Sequence, residues 1–208
     1  ERSGLGDLSL SQNQYIQDKA NIFEISNCKG VNTPIEKGFH VSENSVAFDS
    51  TKYLEIIGAL GYAAKTSRPD IQYSFSYLSR FSKSPSVDHW KGAKRVLNYL
   101  NCTRNLSLKY DQIESNKKWS LSGYVDASYG NNGELISTTG LCVYLGDHLI
   151  SWKSKKQQVP STSSCEAEIY AAEKCIKEII WIKGILADLG IEVDEQIKIF
   201  EDKDYLLV

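Results

Sequence analysis

The chain contains no methionine, only four prolines and three histidines, and its five cysteines are odd in number and scattered. Without Met there is no translation start, so the 208 residues are expected to be part of a longer polypeptide. Cys28, Cys102, Cys142, Cys165 and Cys175 show no CxxC spacing, which argues against a disulfide frame or a zinc knuckle and fits a reducing compartment. No apolar run approaches the roughly 18 residues of a membrane span. The start "ERSGLGDLSLSQ" lacks a basic segment followed by an apolar stretch, so neither secretion nor membrane insertion is expected. His40, His89 and His148 are isolated and no Gly-rich loop precedes a helix. No Ser/His/Asp or Cys/His set and no phosphate loop is therefore in view.

What is present is ordinary globular material, 41% hydrophobic and 24% charged. The net charge of −2 is unevenly spread. Residues 51–110 hold ten Lys or Arg against three acids, a balance of +7 that leaves −9 elsewhere. A basic middle beside an acidic remainder suits a protein that holds a polyanion with one part and cations with another, whereas the blander reading is a solvated surface.

Residues 1–50 are polar and weakly periodic, with a short strand and helix in "LSLSQNQYIQDKANIF" and a Pro/Gly loop in "CKGVNTPIEKG". From Tyr53 the spacing turns helical. "KYLEIIGALGYAAK" predicts one helix, and "SRPDIQYSFSYLSRF" restarts after Pro69. "SVDHWKGAKRVLNYL" predicts a third, capped by Ser86, with Trp90, Ala93, Val96, Leu97 and Leu100 on one face. Its other face presents Lys91, Lys94, Arg95 and Asn98, a basic stripe able to lie on phosphates.

Near "DQIESNKK" the period changes to alternation, which marks a boundary. "WSLSGYVDAS" predicts a strand, and "TGLCVYLGDHLISWKSK" predicts two more joined at Gly146 and Asp147. A long helix from "STSSCEAEIYAAEKC" to Gly190 follows, then a strand in "QIKIFED". With a right-handed crossover, the last strand lies parallel beside the first.

Carboxylates carry the chemistry this order suggests. Ser163 and Glu166 fit the capping box S-x-x-E, which gives Glu166 a structural role. An apolar stripe of Cys165, Ile169, Ala172, Cys175 or Ile176, and Ile179 puts Glu168 on the inward face, about 200° from Glu166. Asp126 follows "SGYV" as Asp202 follows "IKIF", so adjacent parallel strands bring the two aspartates together with Glu168. Three ionised carboxylates in one place repel unless a cation sits among them, and hard oxygen donors favour Mg²⁺ or Mn²⁺ over zinc. Two such ions serve phosphodiester hydrolysis.

The same residues bear a resemblance. "GALGYAAKTSRPDIQYSFSYLSRF", "HWKGAKRVLNYLNCT", "GYVDASYG", "STTGLCVYLGDHLISWKSKKQ", "SSCEAEIYAA" and "IKIFED", in that order, resemble the tail of copia-type retrotransposon polyproteins, where reverse transcriptase leads into ribonuclease H (RNase H). The front of the chain resembles the last section of that reverse transcriptase. The resemblance implies an α/β chain: a reverse transcriptase tail at 1–50, a basic helical connection at 51–110, and an RNase H-like mixed sheet with a crossover helix at 118–208, incomplete at its C-terminus. Carried over by position, the family's metal-holding acids fall on Asp126, Glu168 and Asp202. It implies two Mg²⁺ or Mn²⁺ ions, hydrolysis of the RNA strand of an RNA/DNA hybrid, the rest of the retrotransposon polyprotein as partner, and a cytoplasmic or nuclear setting. It implies no polymerase site, whose aspartates lie upstream. Lys91, Lys94 and Arg95 are expected on backbone phosphates.

Three departures stand out. "ELISTTG" places Leu135 and Ile136 where the family is polar, Lys203 follows Asp202 where the family has Asn, and the family's fourth carboxylate has no counterpart before Val208. The alternative expectation is a non-catalytic nucleic-acid-binding remnant of a decayed or truncated element.

Overall fold

Two separate sets of buried side chains organise the chain, one built from helices and one from a sheet with a single long helix. The computed structural model describes residues 6–26, 28–111, 119–130 and 136–201, and the backbone of 205–207. It divides into two units, Ser9–Leu108 and Lys109–Val208, the second also taking in residues 6–8, with short strands β1 (Leu8–Leu10) and β2 (Leu108–Tyr110) near the division.

The first unit contains α1 (Asn13–Ile22), α2 (Ser50–Thr66), a 3-10 turn at Pro69–Ile71, α3 (Gln72–Ser79) and α4 (Val87–Cys102). Asp49 caps α2 by accepting the Thr51 N–H at 2.8 Å, which satisfies one of the free donors at a helix start. Pro69 opens the turn before α3, where its missing N–H costs nothing. Ile56, Leu60, Ile71, Leu78, Ala93, Val96 and Leu97 interlock in the core, and Trp90 stacks on Phe48 with centroids 4.6 Å apart. Asn98, expected on the outer face of α4, is instead buried, because its amide donates to the Lys29 carbonyl at 2.8 Å and so ties the loop before α2 to the helix.

One cation is internal to this unit. Arg68 is 1% exposed. Its Nε and Nη2 donate to the two Asp70 oxygens at 3.0 and 2.6 Å, and its Nη1 and Nη2 donate to the Thr103 carbonyl and hydroxyl at 3.1 and 2.6 Å. A planar fork with several donors suits this double duty, and it pins the α2–α3 connection to the end of α4.

The second unit is a five-stranded sheet in the order β5-β4-β3-β6-β7, with α5 (Ser164–Asp188) against one face. Strands β3 (Leu121–Ser128), β4 (Thr138–Leu145) and β5 (His148–Lys156) form an antiparallel meander, and β4 turns into β5 through Gly146 and Asp147. Gly146 supplies φ 59° there. After α5 the chain enters β6 (Lys198–Phe200), parallel to β3, and then β7 (Tyr205–Leu207), antiparallel to β6. This is the mixed α/β arrangement expected from the alternation and the crossover. α5 ends at Gly190 (φ 72°), where the Ile191 N–H reaches back to the Leu186 carbonyl at 2.8 Å and closes the last turn.

Candidate functional site

Alternation along β3 decides where its carboxylate stands. Leu121, Gly123, Val125 and Ala127 are buried beneath α5, so Ser122, Tyr124, Asp126 and Ser128 belong to the opposite face. Asp126 is exposed on that helix-free face. Its register partner on β4 is Gly140, followed on β5 by Ser154. A Cβ at Gly140 would have nothing nearer than the Asp126 carbonyl oxygen, at 3.9 Å. The carboxylate therefore stands in a clearing. One row away, Tyr124, Cys142 and Trp152 align across the strands, and Tyr124 stacks on Phe200 of β6 with centroids 4.8 Å apart. β6 runs parallel toward the same end of the sheet as Asp126.

Glu168 lies in the first turns of α5. The expected cap forms: the Ser163 hydroxyl accepts the Glu166 N–H at 3.1 Å. Glu166 reaches back to Thr162 rather than Ser163, accepting its N–H at 2.6 Å and its hydroxyl at 2.7 Å. Those bonds, led by the hydroxyl, hold the Glu166 carboxyl below its ordinary range. Glu166 is thus occupied by the helix start, as the capping box predicts.

The sheet-facing stripe differs from the one predicted. It consists of Ala167, Ala171, Ala172, Cys175, Ile179, Ile182 and Leu186, while Cys165 and Ile169 are exposed. In the first turns the buried positions are Ala167, Ala171 and Ala172, and Ile169 stands about 200° around the helix from Ala167, on the exposed side. Glu168 still shares this phase, half-buried and seven residues before Cys175. Cys175 packs over Gly123, where an added Cβ would sit 2.6 Å from its Sγ, and burial pushes its thiol up to about 11. Such a thiol is inert at neutral pH.

Asp202, Lys203 and Leu135 lie outside the described residues. Among the described residues no group of three His, Cys, Asp or Glu side chains is placed to hold a metal. Asp126 and Glu168 each carry the hard oxygen donors that Mg²⁺ or Mn²⁺ takes, Asp126 exposed on the face opposite α5 and Glu168 half-buried on α5 itself.

The basic residues of α4 are drawn largely into local contacts. Arg95 bonds Glu36 at 2.8 Å and Thr33 at 3.2 Å, Lys91 meets Asp88 at 3.3 Å, and Lys94 sits 6.0 Å from the Trp90 ring centroid. Sequence reasoning passed over two features. His89, taken as isolated, is buried, with its ring 4.0 Å from Phe81 and its Nδ1 accepting the Ser86 N–H at 3.1 Å. Lys153 and Lys155 point to the helix side of β5, and their two-residue spacing was the available signal.

No helix among the described residues is long and apolar enough to cross a membrane. No family model matches the chain, and no solved structure matches it. Among known proteins it is 36% identical over 198 residues to the retrovirus-related Pol polyprotein from transposon RE2 of Arabidopsis thaliana, covering 94% of this chain and 13% of that protein. The corresponding polyprotein from transposon RE1 of the same plant is 38% identical over 189 residues, covering 89% of this chain and 13% of that protein. A putative transposon Ty5-1 protein of Saccharomyces cerevisiae is 38% identical over 185 residues, covering 86% of this chain and 58% of that protein. The chain thus corresponds to only 13% of the length of each Pol polyprotein, and over that stretch it belongs to the copia-type retrotransposon Pol polyproteins.

Proposed function

We propose that the second unit is an RNase H-type module that hydrolyses the RNA strand of an RNA/DNA hybrid, with Asp126, Glu168 and Asp202 as its acids. The observation that carries this reading is the order of the elements. A meander holds an aspartate in a clearing on its first strand, a crossover helix holds a glutamate on its sheet-facing stripe, and a strand returns parallel to the first. In the sequence, Glu201 and Asp202 follow Phe200, the last residue of that strand.

Asp126 and Glu168, with Asp202, would hold Mg²⁺ or Mn²⁺. When bound, such ions neutralise charge developing on the attacking and leaving oxygens of a phosphodiester. The chain itself keeps Glu166 out of the way by bonding it to Thr162, and keeps a space free of side chains at Gly140 beside Asp126. A hybrid would be recognised by its shape and its 2′-hydroxyls rather than by base sequence.

The test is cleavage of a labelled RNA/DNA hybrid with Mg²⁺ and with Mn²⁺, using wild type, Asp126→Asn and Glu168→Gln. Cutting that a chelator stops and either substitution abolishes is the expected result. Cutting that survives Asp126→Asn overturns the assignment, and binding without cutting assigns the chain to the non-catalytic reading.

A further inference from the structure

An edge strand that a helix overhangs should turn apolar side chains toward that helix; β5 does so at Ile150 but not beyond it. From Ser151 onward its helix-side residues are Ser151, Lys153, Lys155 and, just beyond its end, Gln157. The neighbouring positions on β4, Leu141 and Thr139, are both 5% exposed, so the lysines replace what would otherwise extend the core. From the other side α5 contributes Tyr170, Lys174 and Lys177, spaced to form one flank of the helix. With Lys153, Lys155, Lys156 and Gln157 they line a groove of about 340 Å³.

The charge in this groove is only partly balanced. Glu178 is engaged by Lys153 and by the Ser151 hydroxyl at 2.7 Å. Glu173 is engaged by Lys174 at 3.1 Å and by Lys177. Among the described residues Lys153, Lys155, Lys174 and Lys177 thus share two carboxylates, Glu178 in the groove wall and Glu173 beside it. Lys174 also lies over the Tyr170 ring, 4.6 Å from its centroid, so an aromatic face and an ammonium are presented together. Inward lysines on an edge strand protect it from pairing with another chain. That accounts for Lys153 and Lys155, but not for lysines on α5 that converge on the same groove.

We infer that the groove between β5 and α5 binds the phosphate backbone of a nucleic-acid strand. Along α5, Tyr170 to Lys177 spans about 10 Å at 1.5 Å per residue. That length matches about three successive phosphates at 3.4 Å per nucleotide of axis. Tyr170 lies two residues after Glu168, so the strand would run from the end of α5 that carries the candidate acid. The inference rests on the nucleic-acid part of the proposed function and is independent of hydrolysis.

The experiment measures binding of the full chain to a labelled RNA/DNA hybrid in EDTA across a salt series, for wild type and for Lys155→Gln/Lys174→Gln/Lys177→Gln. Each lost phosphate contact should flatten the log–log salt slope by about 0.7 to 0.9, so the triple variant should lose about 2.1 to 2.7. The matching triple Arg variant should keep the slope, which separates loss of charge from loss of fold. An unchanged slope in a folded Gln variant, or no hybrid binding by wild type at low salt, overturns the inference. So does equal binding of polyglutamate, which would assign the groove to acidic polypeptide. Displacement of the hybrid by millimolar inorganic phosphate would overturn it in favour of a free-anion site. Loss of cleavage with binding and slope intact counts only against the hydrolytic reading.

Discussion

Gly123 lies where β3 passes directly beneath α5, and adding one methyl group there should lift the helix. An added Cβ would sit 2.6 Å from Cys175 Sγ and 2.9 Å from Ile179 Cδ1, with Ile199 Cγ1 at 3.7 Å. Comfortable contact begins near 3.5 Å, so the neighbours must yield by roughly half an ångström to an ångström. They have nowhere to go, since Cys175 and Ile199 are 0% exposed and Ile179 is 2%. Overpacking of this kind costs about 1–3 kcal/mol, and the better strand propensity of Ala returns about 0.5–1 kcal/mol. Gly123→Ala should therefore destabilise the second unit by about 1–2 kcal/mol, or roughly 4–16 °C in Tm for a domain of this size. Cys175→Ala removes the nearest obstruction, so the double variant should be more stable than additivity allows, by about 1 kcal/mol. Urea and thermal unfolding of the four proteins by circular dichroism measures both quantities. A Gly123→Ala protein as stable as wild type, or a coupling indistinguishable from zero, would refute the steric argument. Because Glu168 shares a stripe with Cys175, a lifted helix should also weaken whatever Glu168 holds.

Other perturbations test other parts of the molecule. Arg68→Ala leaves Asp70 and Thr103 without their shared donor and should cost the helical unit about 3–5 kcal/mol, with Arg68→Lys rescuing only part, since an ammonium cannot reproduce the fork; a Tm change under about 4 °C for the Ala variant would sink this. Burial lowers the pKa of His89 below its ordinary 6.5, despite the opposing charge of Asp88. Its contribution is therefore present above about pH 6.5 and is lost as the pH falls below it, because the unfolded chain takes up the proton first. Thermal melts at pH 7.5 and pH 5 should show the loss in wild type and a smaller one in His89→Phe. Ser163→Ala removes the cap of α5 and should cost about 0.5–2 kcal/mol with hybrid binding unchanged, as read from melts and anisotropy together.

What could be read from the sequence and what could not divides by the range of the forces involved. The meander was legible because alternation, Gly146 and the two-residue connection are local signals. The cap at Ser163 and the stop at Gly190 were legible for the same reason. Strands β2 and β7, three residues each, are too short for any period to register. Glu168 was assigned the inward phase with Cys165 and Ile169 as companions, yet both are exposed. Hydrophobicity names candidates for a stripe, but the rotation of the docked helix decides it, and that rotation buries Ala167 and Ala171 in place of Cys165 and Ile169. Arg68 entered only the charge count of residues 51–110, because nothing local announces that Asp70 and Thr103 will enclose it. The lysines of β5 and α5 lie apart in sequence, and only the docking of the helix makes them neighbours.

The parallel pairing of β3 with β6 also has a consequence for how the second unit assembles. The meander closes through a tight turn, but β3 keeps one open edge until α5 has been made and laid down and β6 arrives behind it. Contacts of such long sequence separation form slowly, because the intervening chain must be ordered before they reward it. During synthesis, the strand that carries Asp126 therefore spends an interval as an unprotected edge. In that interval its fate depends on what else in the cell can pair with it.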